Sequence, residues 1–339
     1  MGEVCSVLIV GGGPAGASCA FELAKTNRDV IVCDHSHPRE KPCGGAVSPY
    51  VFEKFPFLKR FQSEDGTPTK FRIMTSEDRQ IRTNVSETGF NISRQVFDQE
   101  ILNMAVSIGA RLRREKVLDV EKRSRFWKVK TTSGILSTKV LVGADGVNSL
   151  VRRKTLGPIS GKNLALAYGY MATGFEKTYS IIKYLGAIQG YAWFFPRKND
   201  ASVGIWSVLE HGSKLKHLLD DFINSYCPNI DIISKFCAMV PSAREQEFFR
   251  LPCAGKNWVL IGDAAGHVDP ITGEGILYAL WSGKLAAEAI MRNDVKFYDR
   301  LWRKQYGKSF RDRTIVKGTL YDNLTVELSA ILNSFYSKP

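Results

Sequence analysis

The sequence predicts a mixed α/β protein in which a βαβ unit is combined with a separate region of antiparallel strands. The apolar run 7–10 turns through glycines into a helical pattern that ends near Lys25, and a second apolar run follows at 30–33. Much later, two further apolar runs end in glycine and aspartate, at 143–146 and 262–263. Between those two runs lie short alternating segments that are typical of β-hairpins.

The turn of the βαβ unit is predicted to bind a nucleotide diphosphate. Gly11 permits a tight turn, Gly13 lets the backbone approach a pyrophosphate, and Gly16 lets the helix pack closely on the strand. The helix start favours an anion through its unpaired N–H groups and its dipole. Asp34 follows at about the spacing at which an acid meets a ribose hydroxyl, which a plain strand-to-helix turn does not require. The predicted site comprises Gly11, Gly13, Pro14, Ala15, Gly16 and Asp34.

The length and composition are those of an ordinary globular protein. The chain has 339 residues, 44% hydrophobic and 24% charged, enough for one large domain or two modest ones. Its seven cysteines are scattered and odd in number, so we expect no disulfide framework and a reducing cytoplasm. We expect no signal peptide, because the first strand begins by about Val4, and no apolar run approaches the roughly 20 residues that span a bilayer.

The net charge is +13, from 47 Lys and Arg against 34 Asp and Glu, and it attracts the chain to polyanions. Three interpretations remain open: a solvated basic surface, peripheral attraction to an anionic membrane face, and nucleic-acid binding. The basic residues are spread along the chain without a nucleic-acid motif, so no nucleic-acid partner is expected.

A loop rich in glycine and proline follows the βαβ unit at 35–45. Gly44 and Gly45 let the backbone come close to a flat ligand, and Cys43 places a polarizable sulfur beside them. An ordinary turn with a buried thiol is the alternative. His35 and His37 have the spacing of a metal pair, but no further ligand residues accompany them. We therefore interpret them as surface-loop histidines and expect no metal.

The next segment is less regular. Its pattern predicts a helix near 49–61, strands near 71–75 and 80–84, and an N-capped helix from Ser93 to about 105. Arg94 lies in the first turn of that last helix, where a cation gains nothing from the helix dipole. An anionic partner such as a phosphate is one hypothesis for Arg94, and a solvated arginine is the other.

Further strands are predicted at 111–120, 127–132, 138–142 and 258–261, and a helix at 276–291. Asp145 and Asp263 follow strand ends, where a carboxylate accepts hydrogen bonds from sugar-like hydroxyls. The glycine-rich start of the helix favours partial negative charge. The predicted ligand contacts in these stretches are Asp145, Gly262, Asp263, Gly273, Gly275 and Ile276.

The segment 158–250 is predicted to form strands at 168–173 and 180–184 and a hairpin of 191–196 with 201–208. Alternation places Tyr191, Trp193 and Phe195 on one face, next to Pro196, where they would line an apolar pocket. A plain packed sheet is the alternative.

Three separated elements that converge on one long ligand suit a flavin dinucleotide better than a nicotinamide one. In order and spacing, the stretches 11–16, 143–146 and 262–263 resemble the three signatures of FAD-dependent reductases and hydroxylases with the fold of para-hydroxybenzoate hydroxylase. The resemblance implies a Rossmann-like FAD-binding domain with an inserted antiparallel-sheet substrate domain.

The same resemblance assigns roles to individual residues. It implies that Asp34 binds the adenosine ribose, that Arg94 lies near the phosphate–ribityl region, and that Asp263 holds the ribityl and pyrophosphate portion. The helix start at 273–276 would face the flavin ring, where its dipole stabilises the reduced flavin.

Two segments narrow the resemblance to the geranylgeranyl reductase family. Tyr191-x-Trp193-x-Phe195-Pro196 is similar to that family's substrate-pocket motif, and 41–45 is similar to its segment beside the flavin. Related flavin halogenases carry Trp-x-Trp-x-Ile-Pro, which this chain does not reproduce at the first and fifth positions. The resemblance implies hydride transfer from reduced flavin to an isoprenoid double bond. Cys43 is the candidate proton donor, and NAD(P)H or a ferredoxin-like carrier would supply electrons.

The predicted domain limits are 1–60, 91–157 and 252–307 for the FAD-binding domain, 61–90 and 158–251 for the substrate domain, and 308–339 for a C-terminal helical tail. Two other functions remain open, an FAD-dependent aromatic monooxygenase on the same scaffold and a non-catalytic FAD-bound lipid carrier. Oxygen consumption would separate the first from a reductase. A flavin that neither an alkene nor oxygen reoxidises would favour the second.

Overall fold

The computed structural model describes residues 3–74, 80–81, 89–186 and 188–320. Packing divides this part of the chain into two compact units. The first unit comprises the chain up to Arg39, Gln95–Asn163 and Pro241–Arg313, and the second comprises Glu40–Arg94, Leu164–Val240 and the chain from Thr314. This division differs from the predicted domain limits chiefly at 40–60, which pack with the second unit.

The elements are numbered in chain order. The strands are β1 (Glu3–Val10), β2 (Val30–Cys33), β3 (Ala46–Val47), β4 (Thr67–Thr69), β5 (Phe71–Met74), β6 (Gln80–Ile81), β7 (Gly89–Asn91), β8 (Arg111–Arg113), β9 (Val117–Lys122), β10 (Trp127–Thr131), β11 (Ile135–Gly143), β12 (Leu164–Thr173), β13 (Ser180–Tyr184), β14 (Gly190–Pro196), β15 (Ala201–Val208), β16 (Asp231–Pro241) and β17 (Trp258–Leu260). The α-helices are α1 (Pro14–Ala24), α2 (Pro49–Lys54), α3 (Arg60–Ser63), α4 (Arg94–Ser107), α5 (Leu150–Thr155), α6 (Leu215–Tyr226), α7 (Ile276–Met291), α8 (Tyr298–Trp302) and α9 (Lys308–Leu320).

The first unit is built, within its described residues, on a seven-stranded sheet in the order β8-β2-β1-β11-β10-β9, with β17 beside the end of β11. β1 runs parallel to β2 and β11, whereas β10 is antiparallel to β11 and β9. Helices α1 and α7 pack closely at Gly283, which has no Cβ. A Cβ added there would lie only 2.3 Å from the Ala15 carbonyl oxygen. The predicted Rossmann-like βαβ arrangement is therefore confirmed.

The second unit contains, in the residues described for it, a seven-stranded sheet in the order β16-β12-β15-β14-β13-β5-β6 and a small sheet β3-β7-β4. β12, β15, β14 and β13 pair antiparallel along this order, and β5 joins β13 in parallel. The predicted hairpin of 191–196 with 201–208 is β14 with β15, in which Tyr191 pairs with Trp206 and Phe195 with Ser202.

The large sheet of the second unit has two different faces. On one face, Phe194 and Val203 pack with Leu219 and Phe222 of α6 in an apolar core. We call the other face the aromatic face; it consists of Tyr191, Trp193 and Phe195 of β14 and Trp206 of β15.

One helix prediction in this unit is wrong. Instead of a single helix over 49–61, α2 ends at Lys54, a 3₁₀ turn covers Pro56–Leu58, and α3 begins at Arg60. The break follows from Pro56, which disfavours helical conformation in the residue before it. Phe55 accordingly has φ −126° and ψ 73°.

The predicted strand 111–120 is also wrong as a single element. β8 pairs with β2 and β9 pairs with β10, at opposite edges of the sheet, so the chain has to leave the sheet between them. The predicted strands at 71–75 and 80–84 coincide with β5 and β6, but residues 75 and 82–84 lie outside the described part. All seven cysteines are free in this structure.

Candidate active site

The glycine turn between β1 and α1 combines two kinds of glycine. Gly11 has φ +101°, and a Cβ there would lie 2.4 Å from the Ala144 carbonyl oxygen. A Cβ on Gly16 would lie 1.9 Å from the Gly11 carbonyl oxygen. Gly13 is different, because its backbone is extended and its Cβ would meet nothing within 4 Å in this structure. Gly11 and Gly16 are thus needed by the fold, whereas the space beside Gly13 is open, and the pyrophosphate contact of Gly13 stays a prediction.

The start of α1 suits an anion. Pro14 is its first residue, no side chain caps the helix, and its first turn contains no acidic residue. The backbone N–H groups of Ala15 and Gly16 therefore face the space beside Gly13 without an intrahelical acceptor.

The three signatures meet in the first unit. Ala144 donates its N–H to the Val10 carbonyl, 2.8 Å, next to Gly11. A Cβ on Gly262 would lie 2.9 Å from the Ala15 Cβ. The stretches that begin at 11, 143 and 262 are therefore neighbours around the start of α1.

Asp145 caps a helix. Its carboxylate accepts from the Ser149 hydroxyl and from the backbone N–H groups of Leu150, 2.7 Å, and Val151, 3.2 Å, at the start of α5. Burial raises the pKa of Asp145. These bonds give Asp145 a role in the fold, and its contact with a ligand stays a prediction.

The start of α7 differs from that of α1. Glu274 Oε1 accepts from the Leu277 N–H at 2.9 Å, so a carboxylate already interacts with this helix start. Asp263 is close by, since a Cβ on Gly275 would lie 3.6 Å from Asp263 Oδ1. The predicted ligand contacts of Gly273, Gly275, Ile276 and Asp263 remain predictions.

Asp34 lies at the end of β2 and organises the turn. Its Oδ2 accepts from the Gly12 N–H at 2.6 Å, and its Oδ1 accepts from the Ser36 N–H and hydroxyl at 2.7 and 2.8 Å. His37 donates its backbone N–H to Oδ1 at 3.1 Å, and its Nδ1 lies 3.0 Å from the same oxygen. The carboxylate thus joins the glycine turn to the following loop.

The prediction that His37 is a surface-loop histidine is wrong. Its side chain is only 1% exposed and lies between two carboxylates, with Nε2 3.8 Å from Asp98 Oδ2. Burial lowers the pKa of His37, but hydrogen bonding and charge from Asp34 and Asp98 outweigh burial and raise it. For Asp34, burial raises the pKa, but His37 and the N–H groups of Gly12 and Ser36 hold it well below its usual range.

In the second unit, the loop at 43–45 lies on the aromatic face. A Cβ on Gly44 would come within 2.6 Å of the Phe195 ring and 3.4 Å of Trp193 Nε1. Trp193 donates its indole N–H to the Ser202 hydroxyl at 3.1 Å, and that hydroxyl donates to the Cys43 carbonyl at 3.1 Å. The two segments predicted to form the substrate side are therefore in direct contact.

Glu40, which precedes the 43–45 loop, is joined to Arg197 after β14 and to the start of α4. Arg197 Nη1 lies 2.9 Å from Glu40 Oε1, and Arg197 Nε donates to Asp200 at 2.6 Å. Glu40 also accepts from the Ser93 hydroxyl at 2.7 Å and from the Arg94 N–H at 3.2 Å. Arg94 is buried, so the alternative of a solvated arginine is wrong. Its predicted contact with a phosphate stays a prediction.

The residues of the aromatic face are tightly packed. Trp193 and Phe195 are 4% and 5% exposed, and Trp193 stacks on Phe236. A Cβ on Gly204 would lie 2.3 Å from the Trp193 ring, so a glycine is what makes room for the indole. Pro196 follows, and its carbonyl accepts from Asn91 Nδ2 at 2.7 Å. Tyr191, Trp193 and Phe195 share one face as predicted, and their contact with a substrate stays a prediction.

Sequence reasoning missed several of these residues. Ser202 is one of two serines in an otherwise apolar strand, and its pairing opposite Phe195 in the predicted hairpin was the available signal. His37 follows Asp34 by three positions, a spacing at which a loop side chain turns back on a carboxylate. Nothing local marks Glu40, because its partners Ser93 and Arg197 are distant in sequence.

The described residues contain no cluster of three or more His, Cys, Asp or Glu side chains placed to hold a metal ion. Among the helices of the same residues, none has the length and hydrophobicity needed to span a bilayer.

Several known proteins are similar to this chain. The sequence matches the family described as FAD binding domain over residues 4–214. It is 30% identical to the geranylgeranyl diphosphate reductase of Rhodobacter capsulatus, over 92% of this chain and 83% of that protein. It is 29% identical to digeranylgeranylglycerophospholipid reductase 2 of Methanococcoides burtonii, over 97% of this chain and 87% of that protein.

A solved structure extends the comparison to the fold. The geranylgeranyl bacteriochlorophyll reductase-like protein of Thermoplasma acidophilum superposes with a TM-score of 0.84 at 23% identity. The match covers 100% of this chain and 93% of that chain. Both compact units therefore follow a known architecture.

Proposed function

This chain belongs to the geranylgeranyl reductase family of FAD-dependent oxidoreductases, and on that premise we propose that it reduces carbon–carbon double bonds of a phosphate-bearing isoprenoid. The names of the two relatives, a diphosphate reductase and a glycerophospholipid reductase, both refer to substrates that carry phosphate. These two classes are the substrates to test first.

The first unit would hold FAD. The space beside Gly13 and the N–H groups at the start of α1 suit its pyrophosphate. Asp34 would accept a ribose hydroxyl once one of its present donors gives way. The Ser36 hydroxyl is the donor best able to do so, because it rotates about a single bond. Asp263 and the glycines at 273 and 275 are the further contacts that we propose.

The contact of the loop at 43–45 with the aromatic face is the observation that carries the proposed reaction. Bound FAD, once reduced, would supply the hydride that one alkene carbon receives. We propose that the half-buried Cys43 thiol gives a proton to the other carbon and regains it from water. Trp193 and Phe195 would exclude water and orient the chain of the isoprenoid.

Anaerobic turnover tests the proposal. The FAD-loaded protein, reduced chemically, is mixed with geranylgeranyl diphosphate, and the products are analysed by mass spectrometry. We expect two hydrogen atoms gained per reduced bond and reoxidation of the flavin without oxygen. A hydroxylated product formed with stoichiometric oxygen consumption would instead identify a monooxygenase. A flavin that stays reduced with both alkenes and oxygen would identify a non-catalytic carrier. NAD(P)H and a ferredoxin are then compared as electron donors.

We further propose a peripheral interaction with anionic membranes, because the net charge is +13 and the proposed substrate is apolar. Binding to anionic liposomes should be strong at low salt and lost at high salt, as measured by co-sedimentation. Equal binding to neutral liposomes would contradict an electrostatic interaction.

A further inference from the structure

Trp206 has a polar group that its surroundings do not satisfy. The side chain is only 5% exposed, yet its indole N–H finds no acceptor within the described part of the chain. Trp193, on the same face, donates to Ser202 at 3.1 Å. A buried donor without an acceptor costs free energy, so its retention points to a group that binds there.

A buried lysine lies beside that indole. Lys317 of α9 is 2% exposed, and its Nζ lies 5.7 Å from the centre of the Trp206 ring. A cation in an apolar environment strengthens the binding of an anion, because little water screens the charge. One end of the aromatic face thus has an N–H donor at the edge of the Trp206 ring and an ammonium group over the same ring.

We propose that Trp206 Nε1 and Lys317 Nζ bind oxygens of the phosphate at the polar end of the isoprenoid. The inference rests on the proposed function for its substrate, and it adds the site that recognises the phosphate. A phosphate matches both groups, because its oxygens accept from the indole N–H, which is only a donor, and from one of the three N–H donors of the ammonium. A neutral alcohol would satisfy the indole without matching the charge.

The position of the two groups also gives the substrate a direction. Trp206 pairs with Tyr191 at one end of the β14–β15 hairpin, and Ser202, which holds the Cys43 carbonyl, pairs with Phe195 at the other. Four residues of a strand separate these ends by roughly 13 Å. The phosphate would therefore lie at the end of the aromatic face opposite to Cys43, and the apolar chain would run between them over Trp193.

Equilibrium binding to the oxidised, FAD-loaded protein tests the site without requiring turnover. Titration calorimetry compares geranylgeranyl diphosphate with geranylgeraniol, which has the same chain and no phosphate, and inorganic pyrophosphate is added as a competitor. The variants are Trp206→Phe, which keeps an aromatic ring and removes the N–H, and Lys317→Met, which keeps the length and removes the charge. Lys216→Met, at an exposed lysine of α6, is the matched control.

We expect Lys317→Met to weaken geranylgeranyl diphosphate binding about tenfold or more and to leave geranylgeraniol binding unchanged, because only the diphosphate carries charge. Trp206→Phe should weaken diphosphate binding about threefold or more and geranylgeraniol binding by a smaller factor. Lys216→Met should change neither. Competition by pyrophosphate in the parent protein, lost in Lys317→Met, would locate the effect at the phosphate. If both ligands weaken equally, the two residues only shape the apolar site, and if neither changes, the phosphate lies elsewhere. Either result overturns the inference.

The same proteins and ligands test the proposed reductase activity separately from the phosphate site. The protein could prefer the diphosphate over the alcohol in a way that depends on Lys317 and yet reduce neither ligand. That result would support the phosphate site and contradict the proposed reductase activity. Circular dichroism and FAD content identify any variant that fails to fold. In that case Lys317→Arg, which keeps the charge, should retain the preference for the diphosphate.

Discussion

The glycine turn of the first unit and the aromatic face of the second are both crowded around glycines, but the crowding has a different nature. At Gly11 and Gly16 the atoms that a Cβ would meet belong to the backbone. At Gly44 and Gly204 they belong to the rings of Phe195 and Trp193. Backbone atoms cannot be exchanged by mutation, whereas a ring can be replaced by a smaller side chain. Gly11 and Gly16 should therefore tolerate no substitution, and the aromatic face should tolerate a compensated one.

The largest effect is expected in the glycine turn. Gly16→Val should prevent folding or destabilise the protein by more than about 4 kcal/mol, because its Cβ would lie 1.9 Å from a carbonyl oxygen. Gly13→Val should fold, since nothing in the structure lies within 4 Å of its Cβ, but should lose FAD. Thermal unfolding and the flavin absorbance of the purified proteins measure the two effects.

The pair of variants separates glycines kept for the fold from a glycine kept for a ligand. A Gly13→Val protein that copurifies with stoichiometric FAD would contradict the placement of the pyrophosphate. A Gly16→Val protein as stable as the parent would contradict the distinction between backbone and side-chain crowding.

The next effect concerns the loop attached to the turn. His37→Gln removes the imidazole between Asp34 and Asp98, which is a cation when it is protonated, so we expect a loss of about 3 kcal/mol in the free energy of unfolding in mild acid. Denaturant unfolding at several pH values measures it. His217→Gln, at an exposed histidine of α6, is the control and should have no effect.

The pH dependence has a defined sign. The pKa of His37 is raised in the folded protein, so its contribution is complete below its unfolded pKa of about 6.5 and is lost as pH rises through the folded value. The stability gap between parent and His37→Gln should therefore be widest in mild acid and narrow at alkaline pH. A gap that stays constant would indicate packing alone.

Cys43→Ser tests the chemistry proposed at the edge of the aromatic face. Turnover should fall about 100-fold, because a hydroxyl is a much weaker acid than a thiol, with FAD content and isoprenoid binding unchanged. Single-turnover reoxidation of the reduced flavin by the isoprenoid measures the step. Cys237→Ser, at an exposed cysteine, is the matched control. Full turnover in Cys43→Ser would leave Cys43 as part of the loop's packing.

The glycine turn and the aromatic face also differ in how far the sequence predicts them. The glycine turn was predictable, because the conformation of Gly11 and the close packing of Gly16 depend on residues nearby in the chain. The boundaries of β13, β15 and α7 were predictable from periodicity. The Trp193–Ser202–Cys43 contacts, the Glu40–Arg197 pair and the burial of His37 were not, because each depends on side chains that only the folded chain brings together.

The smallest effect tests the aromatic face itself. Gly44→Ala places a Cβ within 2.6 Å of the Phe195 ring, so the ring has to move, and we expect a loss of about 1–2 kcal/mol in the free energy of unfolding. Phe195→Leu makes room, and in the double variant the added cost of Gly44→Ala should shrink by at least about 0.5 kcal/mol. Gly13→Ala, compared without FAD, should cost almost nothing. Strict additivity would show that Gly44 and Phe195 are not in contact, and the proposed substrate side would then lack its link between the loop and the hairpin.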